Sequence, residues 1–450
     1  MAIDKRDSWG EKLPRSLGFW GTVGVAVGVS IGSWIFRVPA EVAATLGDPG
    51  PMLLAWTLGG LIAVSGALSF AELAGAVPRS GGLLAWLNEA FGPLPAFVFA
   101  WSELVVLRGA ALGGISTIFA EYLGYFAGYG AREVQYVAAA AILLVGLINY
   151  TGMRVASGLL TPLTVAKYAA IVLLGLLAFT APAGGAPAGG APTGGAVTPP
   201  AVSLSLLGSA LIPIMWTYDG WGDSTFVSGE VRDPDRTLPR AVLTGAALLT
   251  GIYLLVNLAY LHVLTPAEMA DSRLIAATTA DRIPLLGHRG GAIVSALVVL
   301  ATFSALHASM MTGPRVFFGL ADRGLFFRPV ARVSRRFGTP SVAIGWATAL
   351  GVIFVLTSDF RQLADRFILG TWPFYALAVL AVFVLRRKQP ELPRPYRAWG
   401  YPVVPAVFLL ASAWLMVNAL VTDTVNTAIT FLVILAGVPV YWVWHRRRST

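Results

Sequence analysis

The sequence contains no cysteine among its 450 residues, and only 12% of those residues are charged. The missing cysteines exclude disulfide bonds, thiolate metal sites and a partner subunit attached covalently through sulfur. An ordinary soluble domain has about 25% charged residues, so the low charge excludes a cytosolic enzyme, a disordered chain and a nucleic-acid-binding module. With 56% hydrophobic residues and a mean hydropathy of +0.72, the composition indicates a polytopic membrane protein.

Sequence signatures of common enzymes are also missing. The chain contains no Walker phosphate-binding sequence and no His-Glu-x-x-His zinc motif, and its four histidines are scattered. We therefore expect no enzymatic activity, no cofactor and no metal site. No segment repeats a ring-forming filter motif either, so a channel is less well supported than a carrier.

Twelve apolar segments run along the chain, each near the roughly 20 residues that cross about 30 Å of hydrocarbon. They cover residues 17–46, 51–72, 92–121, 133–150, 157–180, 203–228, 240–264, 290–318, 340–358, 364–385, 402–421 and 425–444. If alternate loops face the cytoplasm, most of the 32 Lys and Arg residues lie on the same side as the N terminus. This pattern obeys the positive-inside rule and predicts that both termini are cytoplasmic. The basic residues Arg394, Arg397 and Arg446 to Arg448 are then expected to act as topology signals and to contact anionic lipid rather than nucleic acid.

Two of these segments contain residues that interrupt a helix. In the first, closely spaced glycines lead into residues 30–36 and Pro39 follows; in the sixth, Pro213 precedes the glycine-containing stretch 216–222. A break inside a bilayer frees backbone groups that lipid cannot satisfy, so it is tolerated only beside a polar cavity or other protein. Breaks in segments one and six predict the central site of a transporter with two five-helix repeats, the second inverted. The alternative is that the glycines only allow close helix packing.

Short motifs near both breaks and in the loops resemble a known family. They are Gly32 to Pro39, Ser69 to Leu73 with Pro78 to Gly82, Tyr218 to Trp221, Gly229 to Val231, Asp233 to Arg240 and Leu392 to Tyr396. In this order they resemble the amino acid–polyamine–organocation (APC) superfamily, and within it the bacterial relatives of the L-type amino acid transporters. The likeness covers nearly the whole chain.

The resemblance implies an all-α membrane protein with twelve transmembrane helices: a LeuT-like 5+5 inverted repeat with discontinuous helices 1 and 6, plus two C-terminal helices. The expected order is a cytoplasmic tail at 1–16, a first repeat at 17–180, a flexible Gly/Pro/Ala-rich extracellular loop at 181–202, a second repeat at 203–386, a cytoplasmic loop at 387–400, helices 11 and 12 at 401–445 and a tail at 446–450. The implied function is alternating-access transport of amino acids across the bacterial inner membrane by a sodium-independent monomer, as an exchanger or coupled to protons. A cationic amine or polyamine permease of this fold and a non-transporting amino-acid sensor are the alternatives.

A zwitterionic amino acid needs one site for its carboxylate and another for its ammonium group. Freed amides around Gly32, Ser33 and Trp34 suit the carboxylate, because the N-terminal end of a helix is positive. Asp219 either strengthens ammonium binding or caps a helix. If the resemblance carries over, the ammonium group binds freed carbonyls of Ser30, Ile31, Trp216, Thr217 and Tyr218.

Two tryptophans stand within the breaks. Trp216 occupies the place of the family's gating aromatic residue, and the alternative is an interfacial tryptophan. Trp34 replaces a glycine of the family. It either points away from the pocket or narrows it in favour of small amino acids.

Two ionisable residues lie within other apolar segments. The resemblance implies that Lys167 takes the place of the sodium ion that joins helices one and eight in related folds, so sodium is not needed. The alternative is a lysine that snorkels to the cytoplasm. His307 either takes part in proton coupling or forms a hydrogen bond between helices.

Overall fold

The computed structural model describes residues 17–30, 34–77, 82–151, 169–184, 203–221, 231–322 and 327–449. Across these ranges the regular secondary structure is helical, apart from one isolated parallel bridge between Leu17 and Val231. The predicted all-α class is therefore confirmed for the described part of the chain.

The described helices of the first half begin with the interrupted first segment. They are α1 (Phe19–Ser30), α2 (Val38–Leu46), α3 (Pro49–Ala76), α4 (Leu83–Phe91), α5 (Pro93–Ser102), α6 (Arg108–Ala127), α7 (Ala131–Tyr150) and α8 (Ala169–Ala178). A 3-10 turn at Trp34–Phe36 lies between α1 and α2, and a π-helical turn at Glu103–Leu107 joins α5 to α6.

The second half begins with another short apolar helix and contains the longest helices. Its helices are α9 (Leu204–Thr217), α10 (Pro234–Val263), α11 (Pro266–Asp271), α12 (Ile275–Asp281), α13 (Gly290–Asp322), α14 (Ser341–Thr357), α15 (Phe360–Lys388), α16 (Val403–Thr422), α17 (Thr424–Leu435) and α18 (Gly437–Ser449).

Within the described residues, eight helical stretches are long and apolar enough to cross a membrane. They are Pro49–Ala76, Pro93–Ala127, Ala131–Tyr150, Pro234–Val263, Gly287–Pro314, Phe360–Lys388, Val403–Thr422 and Thr424–Val443. Helices α8, α9 and α14 are shorter but also apolar. Large aliphatic side chains are exposed on the outer surface, among them Leu61, Leu147 and Leu410. An apolar outer surface of this kind suits lipid rather than water, and the prediction of a multi-pass membrane protein is confirmed.

Close backbone packing holds the centre of the bundle together. Helix α3 packs against α9, α10, α15 and α16. A Cβ atom built on Gly59 would lie 2.5 Å from Ile214 Cγ2, and one on Gly60 would lie 2.5 Å from Thr250 Cγ2. Lipid is as apolar as these side chains, so the association depends on close van der Waals contact, and small residues make that contact possible. Helix α9, which carries the second break, is fixed against α3 in this way.

An ion cluster at one end of α3 corrects the prediction for Arg394. Glu72 is 2% exposed and accepts two hydrogen bonds from Arg386, at 2.8 and 2.6 Å, and one from the backbone amide of Ala398 at 2.7 Å. The Arg394 side chain is only 7% exposed, lies 3.6 Å from Glu72 and donates to the carbonyls of residues 385 and 389. Arg394 therefore folds the loop after α15 back onto α3 and is buried away from lipid.

Candidate functional site

The described backbone departs from α-helical geometry where the first break is predicted. The described part of α1 runs to Ser30, and Trp34–Phe36 form a 3-10 turn. Arg37 then leaves helical geometry, with φ −133° and ψ −43°, before α2 begins at Val38. Tyr122 Oη donates a hydrogen bond of 3.0 Å to the carbonyl of Phe36. A side chain of α6 thus satisfies a carbonyl that the interruption frees.

Helix α9 ends where the second break is predicted, and the description continues to Trp221. Helix α9 ends at Thr217 with Tyr218 as its C-cap, and Gly220 adopts a positive φ of 104° that favours glycine. Tyr218 Oη donates a hydrogen bond of 3.1 Å to the carbonyl of Trp56 in α3. The side chain of Tyr218 therefore contacts α3.

Four aromatic rings meet between the two breaks. The rings of Trp34 and Trp216 lie 3.7 Å apart between centroids, and Trp216 also stacks on Phe360 at 6.1 Å and Phe367 at 5.1 Å. Trp34 is 7% exposed and Trp216 is 1% exposed. We call these four residues the aromatic plug, and the end of the bundle where α2 lies the α2 end. The four rings form one contiguous aromatic cluster that links Trp34, just before α2, to α9 and α15.

Arg37 fastens the aromatic plug to α6. Its Nη1 atom lies 2.7 Å from Glu41 Oε1, and its Nε atom lies 3.2 Å from Glu121 Oε2. The guanidinium carbon stands 5.2 Å from the centroid of the Phe360 ring, within the range of a cation–π interaction. The side chains of Arg37 and Glu121 are only 13% and 7% exposed. A paired, mostly buried arginine of this kind holds α2, α6 and α15 in one arrangement.

A polar cavity of about 330 Å³ lies next to the aromatic plug. Ile212 lines it one helical turn before Trp216, and Asp365 lines it two residues before Phe367. The lining residues are Ser209, Ile212, Asp359, Arg361, Gln362, Asp365, Ala419, Thr422, Asp423 and Thr427. Three acids and one arginine make this lining favourable for positively charged groups.

The carboxylate of Asp219 is held by Tyr375, a residue that the sequence analysis did not select. Tyr375 Oη, in α15, donates a hydrogen bond of 2.7 Å to Asp219 Oδ1. The bond fixes the carboxylate directly after the end of α9. Tyr375 lies in α15, which stays helical from Phe360 to Lys388 although it contains Gly370 and Pro373, so no break in the helix marks this position.

A second buried polar group lies on α6, just after the π-helical turn. Arg108 donates a hydrogen bond of 2.9 Å to Glu103 and one of 3.0 Å to Ser309 Oγ in α13. Gly313 lies against the guanidinium, and a Cβ atom there would overlap it. Paired charges of this type are costly inside a membrane and are retained where they join helices or serve function. The geometry shows that Arg108 joins α6 to α13.

The remaining predicted site residues fall into two groups. His307 is 5% exposed, and its Nδ1 atom lies 3.1 Å from Asn149 Nδ2, so it forms a hydrogen bond between α7 and α13. Thr217 is buried and donates to the carbonyl of Pro213. The described part of the structure does not include residues 31–33, Lys167 or the side chain of Ser30. The predictions made for them stay predictions.

Comparisons with known proteins cover almost the full length. A family model described as amino acid permease matches residues 17–444. The chain is 30% identical to the serine/threonine exchanger SteT of Bacillus subtilis (strain 168), over 97% of this chain and 98% of that protein. It is 30% identical to the b(0,+)-type amino acid transporter 1 of Homo sapiens, over 98% of this chain and 90% of that protein. It is 29% identical to the cystine/glutamate transporter of Homo sapiens, over 97% of this chain and 87% of that protein.

Proposed function

The chain belongs to the amino acid permease family, and from this premise we propose that it exchanges small neutral amino acids across a bacterial plasma membrane. The proposal of exchange takes its support from the serine/threonine exchanger among its relatives. The proposal of a small substrate rests on one observation, the contact of Trp34 with Trp216 at 3.7 Å. The Trp34 indole occupies space beside the break where the substrate carboxylate is expected to bind, so little room is left for a large side chain.

In this account the aromatic plug is the closed gate on the extracellular side. The α2 end would then face outwards, and both termini would face the cytoplasm. Trp216 is almost fully buried under Trp34 and against Phe367. Alternating access requires that these rings separate whenever the site opens to the α2 end.

The substrate is proposed to bind between the two breaks as a zwitterion. The amides around Gly32 and Ser33 would take the carboxylate, and carbonyls at the ends of α1 and α9 would take the ammonium group. Asp219 supports this assignment because Tyr375 fixes its carboxylate at the end of α9. Lys167 is proposed to replace a bound sodium ion. The chain would work as a monomer built from a LeuT-like 5+5 repeat and two further helices.

A cationic amine permease is the second candidate, and the acidic lining of the cavity favours it. The described lining of the cavity contains three aspartates and one arginine: Asp359, Asp365, Asp423 and Arg361. A lining of this charge attracts ammonium groups, whether or not they carry a carboxylate. A comparison of an amino acid with its decarboxylated amine separates the two candidates.

The test is uptake into liposomes that contain the purified protein. Labelled serine, leucine, glutamate and lysine are offered to liposomes that are empty or loaded with unlabelled serine, in sodium or choline medium. We expect serine uptake that needs internal serine, is equal in both media and is not inhibited by ethanolamine. Inhibition by ethanolamine as strong as by serine would favour the amine permease. The absence of flux for every amino acid would contradict transport.

A further inference from the structure

One glycine of α6 lies directly beneath the two stacked indoles. A Cβ atom built on Gly114 would lie 2.5 Å from Trp216 Cη2, and 2.8 and 2.9 Å from Cη2 and Cζ3 of Trp34. Carbon atoms that are not bonded normally stay about 3.5–4.0 Å apart. Indole rings are planar and rigid, and both are buried here. The stack therefore forms only because position 114 has no side chain.

We propose that Gly114 is the positioning residue that allows the aromatic plug to close. This inference rests on the proposed role of the plug as a gate. Helix α6 would act as the wall against which α2 and α9 come together, with the hydrogen atom of Gly114 as the contact point. A residue of any other type at this position holds the rings apart.

The same face of α6 carries a second contact to the aromatic plug, through Glu121 and Arg37. Glu121 follows Gly114 by two helical turns, and residues spaced in this way share one face of a helix. Glu121 binds Arg37, whose guanidinium covers the Phe360 ring of the plug. Rings that are held away from Gly114 also draw Arg37 away from Glu121. The consequence of a side chain at position 114 is a shift of the equilibrium towards the form that is open at the α2 end.

A distance measurement between spin labels tests this inference. The chain has no native cysteine, so cysteines at the exposed residues Ala44 of α2 and Ala127 of α6 can be labelled without further changes. Pulsed electron–electron double resonance without substrate should give mainly one short distance between the two labels in the otherwise native chain. Gly114→Ala should give mainly a longer distance and about tenfold slower serine exchange.

The chain offers a matched control on the same helix. A Cβ atom on Gly113 would lie 3.1 and 3.2 Å from the methyl groups of Leu363 and 3.6 Å from the backbone nitrogen of Val355, and no tryptophan atom is among its three nearest neighbours. Gly113→Ala should therefore keep the short distance. Adding W34F and W216F to Gly114→Ala removes the distal indole atoms that overlap the new Cβ, and this triple variant should regain the short distance.

The outcomes separate this inference from the proposed function. A distance distribution for Gly114→Ala that equals the native one would overturn the inference, even if transport is confirmed. If Gly114→Ala does not fold, the triple variant decides: a short distance supports the inference, and failure to fold or a long distance contradicts it. The labels report on closure without any substrate, so a lack of serine flux in the native protein counts against the proposed function alone.

Discussion

Arg37 and Glu121 form a mostly buried ion pair, with 3.2 Å between Nε and Oε2, that connects the interrupted first segment to α6. The same guanidinium binds Glu41 and covers the Phe360 ring. One side chain thus joins α2, α6 and α15 around the aromatic plug. If the aromatic plug is the gate proposed above, this ion pair belongs to the closed form and breaks when the α2 end opens.

Replacing Arg37 should destabilise the protein and favour the open form. Arg37→Ala leaves Glu121 buried without its partner, and breaking a buried pair in this way costs about 3–5 kcal/mol. We expect a clear drop in the thermal unfolding temperature and slower serine exchange. Arg37→Lys should recover little, because a compact ammonium group cannot reproduce the two-sided binding of a guanidinium. Stability and exchange equal to those of the native protein in Arg37→Ala would rule out the role assigned to this pair.

Glu268, in the first turn of α11, should make the stability of the folded protein sensitive to acid. Hydrogen bonds from Arg282, and then from Thr265, lower the pKa of Glu268 from its usual 4.5 to about 2. A carboxyl group with a lowered pKa stabilises the folded state fully above pH 4.5 and loses that effect as the pH falls towards 2. Thermal unfolding measured between pH 6 and pH 2 should show this loss. In Glu268→Gln, the unfolding temperature should depend less on pH in this range. A pH dependence equal to that of the native protein would show that Glu268 is not responsible.

The hydrogen bond from Tyr375 to Asp219 decides between the two roles given to Asp219. If Asp219 binds the substrate ammonium group, Tyr375→Phe misplaces the carboxylate and raises the KM for serine. A hydrogen bond to a charged group contributes about 1.5–3 kcal/mol, which corresponds to roughly a tenfold to hundredfold change. If Asp219 only caps the helix, Tyr375→Phe lowers stability but leaves KM unchanged. Uptake kinetics and thermal unfolding of the same variant therefore separate the two roles.

The prediction for Lys167 is tested by exchanging sodium for choline. Native transport should be equal in both media. Lys167→Ala should lose transport strongly, because the first and eighth predicted segments, which contain α1 and α13, would lack their bridging cation. Losing one charge-assisted contact costs about 1.5–3 kcal/mol, enough to move a conformational balance by one to two decades. Lys167→Arg separates the alternatives, since a snorkelling arginine works as well as lysine and a fitted ammonium site rejects it. Full activity of both variants, or a need for sodium, would each contradict the assigned role.

The sequence predicts both breaks because local residue types cause them. Glycine and proline lower the cost of leaving a helix, and Trp34–Phe36 and Thr217 lie where the described helices change or end. Phe360, Phe367 and Tyr375 were not selected from the sequence. They belong to α15, which stays helical from Phe360 to Lys388, so no break marks them. Only the folded arrangement brings them to the breaks. Arg394 was assigned wrongly to lipid because a charge count does not show that a buried glutamate, Glu72, is close enough to pair with it.

The third segment was predicted near residues 92–121, and it coincides with a helical stretch that runs from Pro93 to Ala127. A π-helical turn at Glu103–Leu107 interrupts its regular pattern, and such a turn has no simple sequence signature. The turn precedes Arg108, whose pairing with Glu103 and Ser309 is a tertiary contact. Neither feature follows from apolar periodicity.

The substrate range of Trp34→Gly tests the central claim most directly. If the Trp34 indole limits the pocket, its removal should allow leucine and phenylalanine to exchange while serine exchange continues. Trp399→Gly is the matched control, because Trp399 is 75% exposed in a loop and its removal should leave the range unchanged. Labelled uptake into serine-loaded liposomes measures both variants against the native protein. New uptake of leucine by Trp34→Gly is the result that this account predicts, and a substrate range identical to that of the native protein would contradict it.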